Sequence, residues 1–169
     1  RRSQVRAAYR CSGRPVDPPP GAPFRPPSPA LTALPAAIAT LRPRLEAGAA
    51  TLGLSLGGAQ CDALLAYLAL LLRWNRAYNL TAIREPEAML TQHVLDSLAI
   101  VKPIDDWLAA RGADSALRLL DVGRGAGLPG VVLAIVRPAW QVVCVDAVAK
   151  KAGFVRQVAA ELGLPKLRA

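Results

Sequence analysis

Three glycines spaced two residues apart follow an aspartate in the segment LLDVGRGAGLPG, residues 119–130. Glycine has no Cβ atom, so Gly123, Gly125 and Gly127 would let the backbone approach a ligand closely. Glycine loops that follow a strand and open a helix are typical of nucleotide and nucleoside-cofactor sites in α/β proteins. The segment therefore predicts a ligand-binding loop.

Two aspartates lie where a ligand of such a loop would bind. Asp121 ends the first apolar strand pattern, and Asp146 ends the second, WQVVCVD. Ligands of open parallel sheets bind at the carboxyl ends of the strands. Asp146 follows Gly127 by 19 residues, about the distance at which an acid reaches ribose hydroxyl groups. We therefore expect an adenosine-containing cofactor, with Asp121 either in its site or orienting the loop through backbone N–H groups.

The glycine spacing narrows the choice of cofactor. A dinucleotide loop, G-x-G-x-x-G, would place its third glycine at the position of Leu128, and the chain has no G-x-x-x-x-G-K-[ST] phosphate loop. A nicotinamide-dependent oxidoreductase is therefore disfavoured. The G-x-G-x-G spacing resembles the first motif of methyltransferases that use S-adenosyl-L-methionine. That cofactor has no pyrophosphate, so we expect less need for a third glycine that packs the helix closely.

The surrounding pattern supplies the elements that would position this loop. A strand at 117–122, a helix ending before Pro138, a strand at 140–146 and a helix at 150–163 alternate, and the approach to a third strand follows. This order predicts a right-handed parallel unit. We interpret residues 113–169 as the first, truncated part of a doubly wound, Rossmann-like α/β domain that binds the cofactor.

The residues before that domain predict an N-terminal helical cap, residues 31–112. Apolar residues recur at three- and four-residue steps from about Gly58 to Tyr78, and a second helix is predicted from Pro86 to about Val101. Residues 12–29 contain eight prolines, which cannot build a core. Residues 1–30 are therefore predicted to be a disordered, Arg/Pro-rich tail.

Charge and cysteine content limit the partners. The net charge is +9, but residues 1–50 contribute +6 of it, so the body of the chain permits an RNA partner without demanding one. Cys11, Cys61 and Cys144 are far apart, which argues against a disulfide framework or a metal site and for a reducing compartment. The longest apolar run, residues 63–72, is too short to span a bilayer, and we expect a cytoplasmic protein.

Longer motifs make a family resemblance specific. W-N-x-x-Y-N-L-T begins at Trp74, H-x-x-D-S begins at His93, and D-x-G-x-G-x-G-L-P-G begins at Asp121. Together they resemble the bacterial glucose-inhibited division protein B family, which methylates a guanine N7 in small-subunit (16S) ribosomal RNA. The resemblance runs from about residue 45 to the last residue.

The resemblance implies S-adenosyl-L-methionine as the cofactor and ribosomal RNA or the small subunit as the partner. It implies that Gly123, Gly125 and Leu128 line the methionine and ribose side of the cofactor and that Asp146 holds the ribose hydroxyls. The N7 atom has a free lone pair, so no general base is expected. A non-catalytic RNA-binding remnant of such an enzyme is the alternative, and we expect a monomer.

The other motif residues allow both structural and functional interpretations. His93, Asp96 and Ser97 match the family's helix motif, and His93 and Asp96 are three residues apart on one predicted helix face. A hydrogen-bonded pair that supports the cap against the sheet is favoured over a catalytic role. Trp74, Asn75, Tyr78 and Asn79 are interpreted as packing and turn residues, with Asn79 and Thr81 as candidate caps. Lys150 and Arg156 are either a solvated helix face or contacts to RNA phosphates.

Two features depart from the family. Arg124 stands where the family has a small residue; it could repel the positive cofactor, pair with its carboxylate, or reflect a sequence error. Family members also continue with further strands. We therefore expect the 169-residue chain to be a fragment of a longer gene product whose uncovered sheet edge makes it unstable or prone to aggregate.

Overall fold

The computed structural model describes residues 34–112, 117–123 and 125–169. The predicted tail (residues 1–30), Cys11 and Arg124 lie outside the described residues. The first part of the chain is helical, with α1 at Ala36–Ala39, α2 at Arg42–Thr51 and α3 at Gly58–Tyr78. The predicted bounds of the long helix α3 are confirmed. Its start is capped by the Gln60 side chain, which accepts a hydrogen bond of 2.9 Å from the Gly57 N–H.

The helix predicted from Pro86 to about Val101 changes type along its length and ends at a turn over residues 99–100. It begins as α4 at Pro86–Met89, widens into a π-helical segment at Leu90–Leu95 and ends as α5 at Asp96–Leu98. A new helix, α6, runs over Val101–Ala109. The predicted helix is therefore confirmed over residues 86–98, but its middle is π-helical and it ends about three residues before Val101. The periodicity of the apolar residues did not show the wider turn, which is set by tertiary packing and is often found at functional sites.

The second part of the chain forms a parallel sheet with two crossover helices. β1 (Arg118–Val122) leads to α7 (Gly130–Val136), and β2 (Gln141–Val145) leads to α8 (Ala149–Glu161) and β3 (Leu167–Arg168). The strand order is β1-β2-β3, and both pairings are parallel. The predicted α/β class, with an N-terminal helical region followed by a parallel sheet, is confirmed.

The two faces of the sheet have different environments. Right-handed crossovers in one direction place both helices on the same face, where Val142 and Cys144 are buried. On the other face, Leu120 pairs with Val143, and Val122 pairs with Val145. Their exposed fractions are 63% for Leu120 and 66% for Val122. The sequence predicts only an uncovered sheet edge. The structure shows in addition that one face of the sheet exposes apolar side chains to solvent.

The helical region and the sheet share one hydrophobic core. The buried cluster contains Leu64, Leu65, Leu68 and Leu71 of α3 together with residues of α7, α8 and the sheet. Trp74 of α3 packs against Phe154 of α8 in a tilted ring contact, with ring centroids 5.4 Å apart and ring planes inclined by 60°. This confirms the packing role predicted for Trp74. Helix α3 therefore forms an outer layer over α7 and α8.

Candidate functional site

The glycine loop, residues 123–129, joins β1 to α7. The Gly123 N–H donates a hydrogen bond of 2.8 Å to the carbonyl oxygen of Val145. Gly127 has a φ of +72°, and a Cβ atom there would lie 2.7 Å from a methyl carbon of Val131. Glycine is required at that position by both backbone conformation and packing. A Cβ on Gly125 would lie 3.1 Å from the carbonyl oxygen of Leu80, so the loop also packs against the helical region.

Asp121 ties the loop to the start of α7. Its side chain is 8% exposed, and its Oδ2 atom accepts a hydrogen bond of 3.0 Å from the Gly130 N–H. An anionic oxygen at the first turn of a helix is favoured by the unpaired N–H groups there. This contact supports the loop-orienting alternative for Asp121, while a direct role toward a cofactor stays a prediction.

Gly130 corrects the expectation that a third close-packing glycine is less needed. A Cβ atom on Gly130 would lie 2.7 Å from Cys144 Sγ and 2.8 Å from Asp121 Oδ2. Helix α7 therefore approaches the strands closely through Gly130, two residues after Leu128, the position at which a dinucleotide-binding loop has its third glycine. In the sequence, the glycine that directly follows Leu128 and Pro129 was the sign of this close packing.

Asp146 lies directly after β2 and turns toward the loop. Its Oδ1 atom accepts a hydrogen bond of 2.8 Å from the Val148 N–H, and its Oδ2 atom accepts one of 3.1 Å from the Gly125 N–H. The Lys151 Nζ atom lies 3.6 Å from Oδ2. The Val148 N–H lowers the pKa of Asp146 most, and the Lys151 charge and the Gly125 N–H lower it further. An ionised carboxylate therefore lies beside the loop at neutral pH.

A cleft of about 440 Å³ is lined by one side of the loop and by the helical region. Its residues come from the turn after α3, from the segment that carries H-x-x-D-S, from the loop and from α8. They are Leu80, Thr81, Gln92, His93, Asp96, Ser97, Ile100, Gly123, Gly125, Ala126, Leu128, Pro129 and Lys151.

The predicted cofactor residues divide between this cleft and a smaller pocket behind the loop. Gly123, Gly125 and Leu128 line the cleft. The small pocket is lined by Asp121, Gly127 and Asp146, and Gly125 and Lys151 border both spaces. All six predicted residues therefore lie in or beside the loop, some lining the cleft and the others lining the small pocket.

The helical wall of the cleft contains His93 within the π-helical segment. The His93 Nε2 atom and the Thr81 Oγ1 atom form a hydrogen bond of 2.8 Å, and partial burial lowers the pKa of His93. The predicted hydrogen-bonded pair of His93 and Asp96 is therefore wrong. The π-helical turn changes the α-helical spacing that would align positions three apart. The Ser97 hydroxyl donates a hydrogen bond of 2.5 Å to the His93 carbonyl oxygen.

The motif W-N-x-x-Y-N-L-T builds the turn that carries Thr81. Asn75 is 2% exposed; its Oδ1 atom accepts from the Thr81 N–H at 2.9 Å, and its Nδ2 atom donates to the Ile83 carbonyl oxygen at 3.2 Å. Asn79 ends α3 with a φ of +48°. These contacts confirm the turn-forming interpretation of Asn75 and Asn79.

Among the basic residues at the start of α8, Lys151 is the one that lines the cleft. Lys150 and Arg156 are exposed, and Arg156 donates a hydrogen bond of 3.4 Å to the carbonyl oxygen of Ala169. Lys151 was missed as a site residue, although it belongs to the same basic run. Tyr67 was also missed: its hydroxyl donates a hydrogen bond of 2.9 Å to the Ala126 carbonyl oxygen in the loop.

Within the described part of the chain, no helix is long and apolar enough to cross a membrane. The same residues contain no group of three or more His, Cys, Asp or Glu side chains that could hold a metal ion.

Comparison with known proteins gives a consistent result. Residues 60–169 match the model of the family described as GidB, rRNA small subunit methyltransferase G. The chain is 62% identical over 127 residues to a ribosomal RNA small subunit methyltransferase G of Leptothrix cholodnii, covering 75% of this chain and 56% of that relative. It is 58% identical over 126 residues to the protein of that name from Bordetella petrii, covering 75% and 48%. The chain spans about half the length of these curated relatives.

Proposed function

Since the chain belongs to the rRNA small subunit methyltransferase G family, we propose that it provides the methyl-donor loop of an enzyme that methylates guanine N7 in small-subunit (16S) ribosomal RNA. The observation that carries this proposal is the cleft between the glycine loop and the H-x-x-D-S segment. The methyl donor proposed is S-adenosyl-L-methionine.

The side chains around the loop fit this donor. An ionised Asp146 carboxylate accepts hydrogen bonds, and a ribose diol supplies two donors. Apart from its two chain neighbours, no described residue has an atom within 4 Å of a Cβ position on Gly123. The donor supplies an electrophilic methyl group on a positive sulfonium. We assign Gly123, Gly125 and Leu128 to its methionine and ribose side, and Asp146 to the ribose hydroxyls.

Asp146 already accepts from Gly125 and Val148, so its role toward a diol uses its remaining lone pairs. A carboxylate has about four acceptor positions in total. Asp121 and Gly127 act behind the loop: Asp121 holds the start of α7, and Gly127 permits the turn. The proposed binding thus depends on a loop that the chain's own contacts hold in shape.

The chemistry proposed requires orientation rather than proton removal. Guanine N7 has a lone pair that is not protonated at neutral pH, so the residues of the cleft need only align it with the methyl group. His93, whose pKa is lowered, stays neutral at pH 7 and can hydrogen-bond without adding charge. Lys150 and Arg156 remain candidates for RNA phosphate contacts. We place this activity in the cytoplasm, in a monomer.

Donor binding and methyl transfer test the proposal together. Calorimetric titration of the chain with S-adenosyl-L-homocysteine, the demethylated donor, is expected to show binding that Asp146→Ala weakens roughly tenfold, as expected for hydrogen bonds to a charged group. Tritium transfer from S-adenosyl-L-methionine to unmodified small subunits is expected at a guanine N7.

The matched control is Asp62→Ala, which removes an exposed acid from the first half of α3. Binding of RNA without donor binding or transfer would favour the alternative of a non-catalytic RNA-binding remnant. Donor binding with transfer to another atom would overturn the assignment to N7.

A further inference from the structure

The cleft contains an acid that the proposed donor assignment does not use. Asp96 lines the cleft beside His93 and Ser97, and its residue is exposed. Across residues 34–112, 117–123 and 125–169, its carboxylate forms no hydrogen bond or salt bridge. It is also the single acidic residue among the described residues that line the cleft.

The exposed Asp96 carboxylate would face negatively charged phosphates in a cleft that takes RNA. Each phosphate carries a negative charge, and like charges a few ångström apart repel each other where water is excluded. Lys151 is the single cation among the described lining residues, and it lies against Asp146 at 3.6 Å. A carboxylate in this position gains charge-assisted hydrogen bonds from a substrate that presents N–H donors to it.

Guanine supplies donors of the required kind. Its N7 and O6 atoms are acceptors on one edge, and its N1–H and 2-amino groups are adjacent donors on the other. A base whose N7 faces the glycine loop turns its N1–H and 2-amino groups away from that loop. Two parallel N–H donors match the two oxygens of a carboxylate. Adenine presents an unprotonated N1 in that position, and hypoxanthine lacks the amino group.

The cleft can also hold a planar ring. Ile100, Leu128 and Pro129 give it apolar surface, and Ile100 is 38% exposed. Enzymes that modify a base take it out of the stack, pack it between apolar side chains and contact its Watson–Crick edge. The side chains of the cleft supply both kinds of contact.

We propose that Asp96 is the specificity-determining residue of this cleft: its carboxylate accepts the N1–H and 2-amino hydrogens of the target guanine. The proposal rests on the proposed function, since it assumes that a guanine enters beside the glycine loop. Asp96 contacts the substrate edge that does not react, so it selects the base without taking part in methyl transfer.

Mononucleotide selectivity tests this role. Saturation-transfer NMR titrations of the chain, with S-adenosyl-L-homocysteine present, compare guanosine, inosine and adenosine 5′-monophosphates. The wild-type chain is expected to bind the guanosine nucleotide roughly tenfold more tightly than either competitor, the effect of losing a hydrogen bond to a charged group. Asp96→Asn and Asp96→Ser are expected to reduce the guanosine-to-inosine ratio to about one. Because the residue is exposed, both variants should keep the wild-type melting temperature.

The control variant is Glu85→Gln, which removes an exposed acid outside the cleft and should leave the ratio unchanged. Equal tightening of all three nucleotides by Asp96→Asn would reveal simple charge repulsion and overturn the proposal. A wild-type chain without preference for guanosine over inosine would also overturn it. Failure of the proposed function would instead show as loss of S-adenosyl-L-homocysteine binding and of methyl transfer, which are measured separately.

Discussion

The hydroxyl of Tyr67, in the middle of α3, donates a hydrogen bond of 2.9 Å to the carbonyl oxygen of Ala126 in the glycine loop. Tyr67 is completely buried, and this burial, with smaller effects of Cys144 and Asp121, raises the pKa of its phenol well above 10. The phenol therefore stays protonated, and so remains a donor, at neutral and mildly alkaline pH. The helical region thus holds the backbone of the proposed donor site.

Replacement of Tyr67 by Phe is expected to weaken both the fold and the site. The Ala126 carbonyl would lose its partner in a dry environment, which costs about 1–3 kcal/mol. Urea unfolding should show this loss, and calorimetry should show weaker binding of S-adenosyl-L-homocysteine. Tyr78→Phe is the control, because Tyr78 is 43% exposed. Equal behaviour of the two variants would contradict the role of the Tyr67 hydroxyl.

Gly130→Ala is expected to destabilise the chain through overpacking. The new methyl group would lie within 3 Å of both Cys144 Sγ and Asp121 Oδ2, and such crowding in a packed core costs about 1–3 kcal/mol. Gly58→Ala also adds a methyl group at a helix start, but there no atom lies within 4 Å of the Cβ position. The melting temperature should fall for Gly130→Ala and should stay the same or rise for Gly58→Ala. A similar melting temperature for both would show that β1 and α7 separate without cost.

Lys151→Met is expected to raise the pKa of Asp146 without restoring its ordinary value of 3.8. The Lys151 charge is one cause of the lowered pKa, but the Val148 N–H is the larger one and remains in the variant. A carboxylate with a lowered folded-state pKa stabilises the fold above its ordinary pKa. That stabilisation is lost as the pH falls through the folded-state value.

The variant should therefore have less of this stabilisation to lose in acid. Carbon-13 titration of the Asp146 carboxyl by NMR measures the shift, and Lys150→Ala is the matched control because Lys150 is exposed. An unchanged Asp146 titration in Lys151→Met would mean that the 3.6 Å approach has no electrostatic effect.

Cys144 is expected to resist alkylation in the folded chain. Burial, together with the charge and hydrogen bonding of Asp121, raises its pKa to about 12, so almost no thiolate is present at pH 8. Mass spectrometry after iodoacetamide treatment of a Cys11→Ser variant should find Cys144 unmodified until denaturant is added. Stability should also fall as the pH rises from about 9 toward 12, because the unfolded chain loses the thiol proton first. Rapid native-state labelling of Cys144 would show that β2 opens readily.

Local patterns predicted the elements well but not the contacts between them. The apolar spacing of α3 and the strand pattern ending at Asp121 depend on nearby residues, so the sequence predicted both. The hydrogen bond from Tyr67 to Ala126 joins residues 59 positions apart, and no local pattern indicates it. The π-helical segment was not visible in the apolar periodicity either, whereas the approach of Lys151 to Asp146 is local and depends on the turn that Asp146 and Val148 form before α8. Gly130 and Tyr67 could be seen in the sequence, but their contacts became clear only from the folded structure.

The one-sided sheet has a practical consequence for handling this chain in solution. Leu120, Val122, Val143 and Val145 form a contiguous apolar array on the solvent-facing side of the sheet, where Arg118 and Arg168 border it. Such a surface adsorbs to hydrophobic resins, brightens the fluorescence of apolar dyes and self-associates as protein concentration rises. Light scattering and dye fluorescence of the chain should therefore increase with salt, and a Leu120→Lys/Val143→Glu double variant should suppress both while leaving the glycine loop untouched.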